Sequence, residues 1–280
     1  MRFAFMTFSC SDLPLGEVLG IARRLGYDGV EPRLGADHAH GVEPETGADA
    51  RREIRKTVEA SGVALACLAT SCRLADPEQR DQWMDYARRT IDLAGDLNVP
   101  AIRVFGGGKI GEEFSRERAV DLLADSLGRL APEAAERGTA LCVETHDAWS
   151  DPVDLAAALK RVDHPAAAAN WDIMHPVRHA SRTMDEAFEA LRPWIRHVHL
   201  HDGILGKPAK GEGLLRPIGE GAIDHRRALE LLAGADYAGY LSGEWIGGKN
   251  WDPWEVHLPR ELATLKGYLA DIEDAQSTGS

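Results

Sequence analysis

Four stretches in the second half of the chain end alike: residues 140–147 read ALCVETHD, residues 167–175 AAANWDIMH, residues 197–202 HVHLHD and residues 239–245 GYLSGEW. Each is a short apolar or small-residue run that stops on carboxylate or imidazole side chains. Such runs suit strands buried on both faces of a parallel sheet, here spanning 140–144, 167–171, 197–200 and 239–244. Working outward, similar runs occur at residues 3–8, 29–31, 63–69 and 101–105. Helical patterns lie between and after them, at 15–25, 49–60, 77–93, 115–135, 152–159, 184–191, 224–232 and 254–272. In the first of these, Leu15, Val18, Leu19, Ala22 and Leu25 make one apolar face, and Gly26 follows as the stop signal. Eight strands alternating with eight helices predict a closed (β/α)8 barrel of the α/β class. An open doubly wound sheet competes, but its glycine-rich turn after the first strand is replaced by Phe8-Ser9-Cys10-Ser11-Asp12.

The chain has 280 residues, and a single barrel domain takes about 250. A single domain is therefore expected over 1–272, with a flexible, small and polar tail at 273–280. The net charge is −13, which opposes binding to nucleic acid, since that depends on clustered Lys and Arg. No apolar run approaches the ~20 residues of a membrane span. The opening MRFAFMTFSCSDLP reads as a first strand rather than a signal peptide. Cys10, Cys67, Cys72 and Cys142 form no CxxC pair. They predict no disulfide framework, and a reduced, cytoplasmic setting is the expectation.

A (β/α)8 barrel carries its active site where the strands end, at the C-terminal face. Glu144, Asp172, His199 and Glu244 fall at the ends of four successive predicted strands. A lone Glu at a strand end is ordinarily a surface or salt-bridging residue. Three carboxylates brought to one rim repel one another unless a cation sits among them. Three carboxylates and an imidazole make a mostly oxygen donor set. It suits one divalent ion, Mn²⁺ foremost, then Mg²⁺ or Co²⁺, with Zn²⁺ left open.

Several motifs share an order and spacing with a known family. They are Gly26-Tyr27-Asp28-Gly29-Val30-Glu31, Val104-Phe105-Gly106-Gly107, Val143-Glu144-Thr145-His146, Asp172-Ile173-Met174-His175, His199-Leu200-His201-Asp202 and the segment from Pro217 to Asp224. Together they resemble the sugar phosphate isomerase/epimerase family of xylose isomerase-like TIM barrels, which includes ketose 3-epimerases, inosose dehydratase and hydroxypyruvate isomerase. The resemblance implies that Glu144, Asp172, His199 and Glu244 are the metal ligands. It implies that Glu144 and Glu244 also move the proton, through a metal-stabilised enediolate, and that His175 meets substrate hydroxyls. It implies a small sugar or cyclitol substrate and a homodimer or homotetramer. His201 departs from the pattern, because lysine is usual there.

Around this centre, His146 is expected to orient Glu144 or to bind substrate, and His201 to touch substrate or metal from the same strand face as His199. Arg178 and Arg216 are candidates for a phosphate or hydroxyl. Trp149, Trp171 and Trp245 either stack on a sugar or are plain core. The loop after the second strand, with Glu31, Arg33, His38 and His40, and the loop 202–222, with six glycines, are candidates to cap the substrate. Lys109 follows three glycines, but the spacing fails the phosphate-loop pattern. The leading expectation is a metal-dependent sugar isomerase or epimerase. A lyase of the same family, a keto-cyclitol dehydratase or 3-keto-glycoside eliminase, uses the same proton abstraction. Repair of DNA in the manner of endonuclease IV, and an inactive sugar-binding barrel, rank below both.

Overall fold

The computed structural model describes residues 1–280 except 109, 112, 113, 211, 247–250, 279 and 280; the Lys109 considered above lies outside the described residues. Its strands are β1 (Arg2–Met6), β2 (Gly29–Glu31), β3 (Ala64–Leu65), β4 (Leu68–Arg73), β5 (Ala101–Phe105), β6 (Ala140–Glu144), β7 (Ala167–Asp172), β8 (Ile195–Leu200), β9 (Asp202–Gly203), β10 (Leu215–Arg216) and β11 (Tyr240–Gly243). Its helices are α1 (Leu15–Leu25), α2 (Ala48–Ser61), α3 (Arg80–Leu97), α4 (Arg116–Glu136), α5 (Pro152–Val162), α6 (Met174–Ala180), α7 (Met184–Leu191), α8 (His225–Gly234) and α9 (Trp254–Thr278).

All strands but β9 and β10 form one parallel sheet, in the order β3-β2-β1-β11-β8-β7-β6-β5-β4. The third predicted strand is broken into β3 and β4 at Ala66 and Cys67. Backbone bonds carry the pairing across this break: Ala66 N donates to Val30 O at 2.8 Å, Ala69 N to Pro32 O at 2.9 Å and Leu34 N to Ala69 O at 2.8 Å. The sheet thereby closes on itself as the predicted (β/α)8 barrel. The predicted helices are present with shifted ends. α1 stops where expected, with Gly26 at φ +86 and its N–H bonded to the carbonyls of Ala22 and Arg23.

Two elements differ from the sequence reading. α6 follows directly on β7, because Asp172 Oδ1 accepts the N–H groups of Met174 (2.8 Å) and His175 (3.1 Å) and so satisfies the opening turn of a helix. α9 continues to Thr278, through most of the segment expected to be a flexible tail. Glu273, Asp274, Ala275 and Gln276 include no Pro or Gly, so nothing in that stretch breaks a helix.

The outward faces of the strands pack on the helices through Phe3, Phe5, Val30, Leu141, Val143, Trp171, Val198, Leu200 and Leu241, all buried. The inward positions are small, including Ala4, Ala66, Cys67, Ala101, Cys142 and Ala168. The four cysteines are buried and unbridged. These small residues leave interior volume near the C-terminal face for long polar side chains.

The 202–222 connection is tied down at its two ends. Asp202 is fully buried, and its carboxylate accepts four backbone N–H groups: Gly203 and Ile223 on Oδ1 (2.8 and 3.1 Å), Gly219 and Gly221 on Oδ2 (2.9 and 3.0 Å). β9 and β10 pair antiparallel across the same loop. A Cβ at position 221 would collide with the Asp202 carboxylate and the Gly203 amide, so the backbone can wrap this closely only with glycine there. Asp202→Ala leaves those amides without their acceptor. It is expected to cost about 3 kcal/mol and to open residues 204–222 to limited proteolysis; thermal unfolding and mapped cleavage sites check both.

Candidate metal centre

Glu144 ends β6, Asp172 ends β7, His199 lies one residue from the end of β8, and Glu244 follows β11 directly. These four strands are also neighbours in space, and the register pairs Asp172 with His199 and His199 with Ser242. Sequence order and sheet order therefore agree at this rim. Each of the four side chains is buried, and each offers a donor atom within 4.8 Å of the others. Between β6 and β7 the Thr145 hydroxyl bonds both Asp172 O and Asp172 N at 3.0 Å, which fixes the depth of Asp172.

His199 is the hub. Its Nδ1 lies 3.1 Å from Glu144 Oε1 and 3.3 Å from Glu244 Oε2. Its Nε2 lies 3.1 Å from Glu31 Oε1, and Glu31 Oε2 lies 2.8 Å from His197 Nε2. Arg103 enters from β5 with only 1% exposure. Its Nε stands 3.2 Å from Glu144 Oε2 and Nη2 4.0 Å from Glu244 Oε1, while Nη1 donates to Thr70 O at 2.6 Å.

Burial pushes each of these carboxyls up, and neighbouring cations outweigh it. Arg103 and His199 bring Glu144 down to about 2. His201 and His175 hold Asp172 low, and His199 and His197 hold Glu31 well below its usual range. Burial and the Glu144 charge raise Glu244, but His199 and Arg103 leave it lowered. Burial disfavours the imidazolium of His199, yet Glu31, Glu144 and Glu244 raise its pKa well above 6.5.

Among the described residues, four carboxylates (Glu31, Glu144, Asp172 and Glu244) and one guanidinium (Arg103) are thus buried around His199 and its neighbours. The remaining negative charge needs either protonated imidazoles or a divalent cation. The donor set fits a cation: Glu144, Asp172, Glu244 and His199 Nδ1 converge, and they are the oxygen-rich mixture that Mn²⁺, Mg²⁺ or Co²⁺ favours.

A wall of imidazoles borders the cage. His201 Nε2 lies 2.8 Å from Asp172 Oδ2, and His175 Nε2 lies 3.9 Å from the same oxygen. The His175 ring centroid is 4.3 Å from His146, 5.5 Å from His201 and 5.4 Å from His179. His146 Nδ1 pairs with Asp147 Oδ2 at 3.0 Å, at the start of the 3-10 turn Asp147–Trp149. Burial lowers the pKa of His146, but the Asp147 bond and Glu144 raise it to about 9.

The structure does not gather the other candidates at the cage. Arg216 donates to the carbonyls of Gly213 and Leu215 within its own loop and stands 3.6 Å from Glu212. Arg178 is bonded to His179 and Gly206. Trp149 is fully buried and donates to Gly107 O, and Trp171 packs on Phe188. Trp245 is 1% exposed, against His257 and over Gly243, so neither ring face is open. His38 and His40 belong to the β2 loop, with His38 on Thr7 and His40 on Arg33 O.

Sequence reasoning passed over Arg103 and His197. Their signals were present: a lone Arg inside the apolar run AIRVF, and the alternation His197, His199, His201 on one strand face.

Comparison with known proteins places this geometry in context. The xylose isomerase-like TIM barrel family matches residues 19–268. The fructoselysine 3-epimerase of Shigella flexneri is 24% identical over 262 residues, covering 88% of this chain and 90% of that protein. The structure of an L-ribulose 3-epimerase superposes with a TM-score of 0.81 at 16% identity, covering 100% of this chain and 98% of that one. The probable 3-DHS dehydratase AsbF of Bacillus anthracis gives 0.77 at 19% identity, over 95% of this chain and 99% of that one.

The charge arrangement sets a pH dependence. In the metal-free protein His199 has a raised pKa, so its stabilisation is complete below its unfolded value of about 6.5 and is lost as pH rises through the folded value. Glu144 has a depressed pKa, so its contribution is present above an unfolded value of about 4.3 and is lost as pH falls toward about 2. Metal binding requires the Nδ1 lone pair of His199, so it should release about one proton near neutral pH and strengthen as pH rises. Titration calorimetry in buffers of different ionisation enthalpy reads that proton; zero release would contradict the assignment.

Proposed function

The chain belongs to the xylose isomerase-like TIM barrel family, and we propose that it is a divalent-metal-dependent epimerase of a free or lightly modified ketose. The observation that carries this reading is the pair Glu144 and Glu244, two buried carboxylates that meet His199 Nδ1 from different strands at 3.1 and 3.3 Å. The similarity to the fructoselysine 3-epimerase of Shigella flexneri supports it.

Glu144, Asp172, His199 and Glu244 would hold the ion, with Mn²⁺ the first choice. When bound, the ion supplies Lewis-acid polarisation of the substrate's carbonyl and offsets the charge that develops on its oxygens. Asp172 and His199 serve only as ligands. One glutamate takes the proton from the carbon next to the carbonyl, and the electron pair of that C–H bond moves toward the carbonyl oxygen. The other glutamate, ionised in the metal-free protein and loaded with a proton from solvent before turnover, returns that proton to the opposite face of the same carbon. The stereocentre is inverted with no change of mass, and the two carboxyls end with exchanged protonation, reset through solvent or by the reverse reaction. His175 and His201, beside Asp172, bind substrate hydroxyls. His146 joins them at the rim.

A second reading is a lyase, in which the same abstraction is followed by loss of water or of an aglycone. It is favoured by the pKa of His146, raised to about 9, which leaves this imidazole protonated at neutral pH as an acid for a departing oxygen.

With Mn²⁺ and a panel of ketoses, inososes and keto-glycosides in D₂O, NMR is expected to show deuterium entering the carbon beside the carbonyl. The product mass then separates epimerisation from elimination. Glu144→Gln and Glu244→Gln should each reduce turnover at least about a hundredfold with an unchanged circular dichroism spectrum. Near wild-type exchange in either variant would refute the pairing.

A further inference from the structure

Beneath the cage, Glu31 is the point where two histidines of β8 meet a strand far away in sequence. Its carboxylate is completely buried. Oε1 lies 3.1 Å from His199 Nε2 and Oε2 lies 2.8 Å from His197 Nε2, so each oxygen meets one imidazole, with the Cys67 thiol beside the carboxylate. Glu31 is itself outside the four-residue group that shares the 4.8 Å circle with His199 Nδ1. The two faces of the His199 ring system therefore have separate partners: the Nδ1 edge looks at Glu144 and Glu244, and the Nε2 edge looks at Glu31.

An imidazole can ligate a metal only through a nitrogen without a proton. Which nitrogen that is depends on what the other one bonds. An ionised carboxylate at Nε2 can accept but cannot donate, so it holds the proton on Nε2 and leaves the Nδ1 lone pair toward the cage. His197 occupies the second oxygen and stops the Glu31 carboxylate from rotating. The inward neighbours Ala66 and Cys67, on the adjoining strand segment, are small enough to leave space for this stack.

We infer that Glu31 is a positioning residue of the metal centre, which fixes the tautomer and ring angle of His199, with His197 as the brace that holds Glu31. The inference rests on the reading of Glu144, Asp172, His199 and Glu244 as metal ligands. Glu31 touches neither metal nor substrate. It acts entirely through His199.

The test compares the wild-type chain with Glu31→Ala and Glu31→Gln, using Mn²⁺ for affinity by calorimetry and Co²⁺ for the visible absorption spectrum of the saturated protein. Glu31→Ala is expected to weaken Mn²⁺ binding about 10- to 100-fold. Glu31→Gln keeps one oxygen as acceptor for His199, so it guards against a misfolded alanine variant. It should recover part of that loss while its Co²⁺ spectrum remains shifted from wild type. If Glu31→Ala binds Mn²⁺ as tightly as wild type, the positioning role is overturned while the metal centre stands. Weakened binding with an unchanged Co²⁺ spectrum would likewise overturn it, because Glu31 would then only support the fold. A wild-type protein that binds neither ion would overturn the ligand assignment and this inference with it.

Discussion

The arrangement depends on concentrating negative charge where water does not reach. Glu31, Glu144, Asp172 and Glu244 are buried together at one end of the barrel, and an isolated buried carboxylate costs several kcal/mol. The chain offsets this with Arg103, itself buried, and with His199 set between carboxylates on three strands. Arg103 compensates the outer oxygens of Glu144 and Glu244, while the other oxygen of each faces His199 Nδ1. The small residues lining the barrel follow from this requirement. Alanines and cysteines at inward positions make room for a guanidinium and two imidazoles that a barrel packed with Val and Leu would exclude.

The same device recurs at a second place for a different purpose. Asp202 sits three residues after His199, and its buried carboxylate is satisfied by backbone amides of the glycine-rich connection. At the centre the carboxylates lack enough donors and call for an ion. At Asp202 four amides suffice, and the outcome is a fixed loop beside the imidazole wall. Counting donors around each buried carboxylate separates a binding site from a structural tie.

Much of this was legible in residue order. The strand ends at Glu144, Asp172, His199 and Glu244 could be located because buried parallel strands are short apolar runs and their final polar residues stand out. The tail and the loop could not be judged from composition. Glu273 to Gln276 look polar and frayed, yet no residue there breaks the helix that α9 continues. The glycines of 202–222 suggest mobility, yet at Gly221 the lack of a Cβ is what lets the backbone close on Asp202. The Nδ1 partner of His146 was not legible either: the turn at Asp147 sets it.

By itself the sequence determined the barrel and the kind of donor that each of four strands delivers, because strand periodicity and the polarity of strand ends are local properties. The tertiary structure alone decided which side chains face one another across the interior. Glu31 and His199 are 168 residues apart, and nothing local relates them. They meet because the sheet order places only β1 and β11 between β2 and β8, and because the register His199–Ser242–Ala4–Gly29 leaves Glu31, two residues beyond Gly29, on the same inward face. Arg103 reaches Glu144 for the same reason, across the β5–β6 pairing.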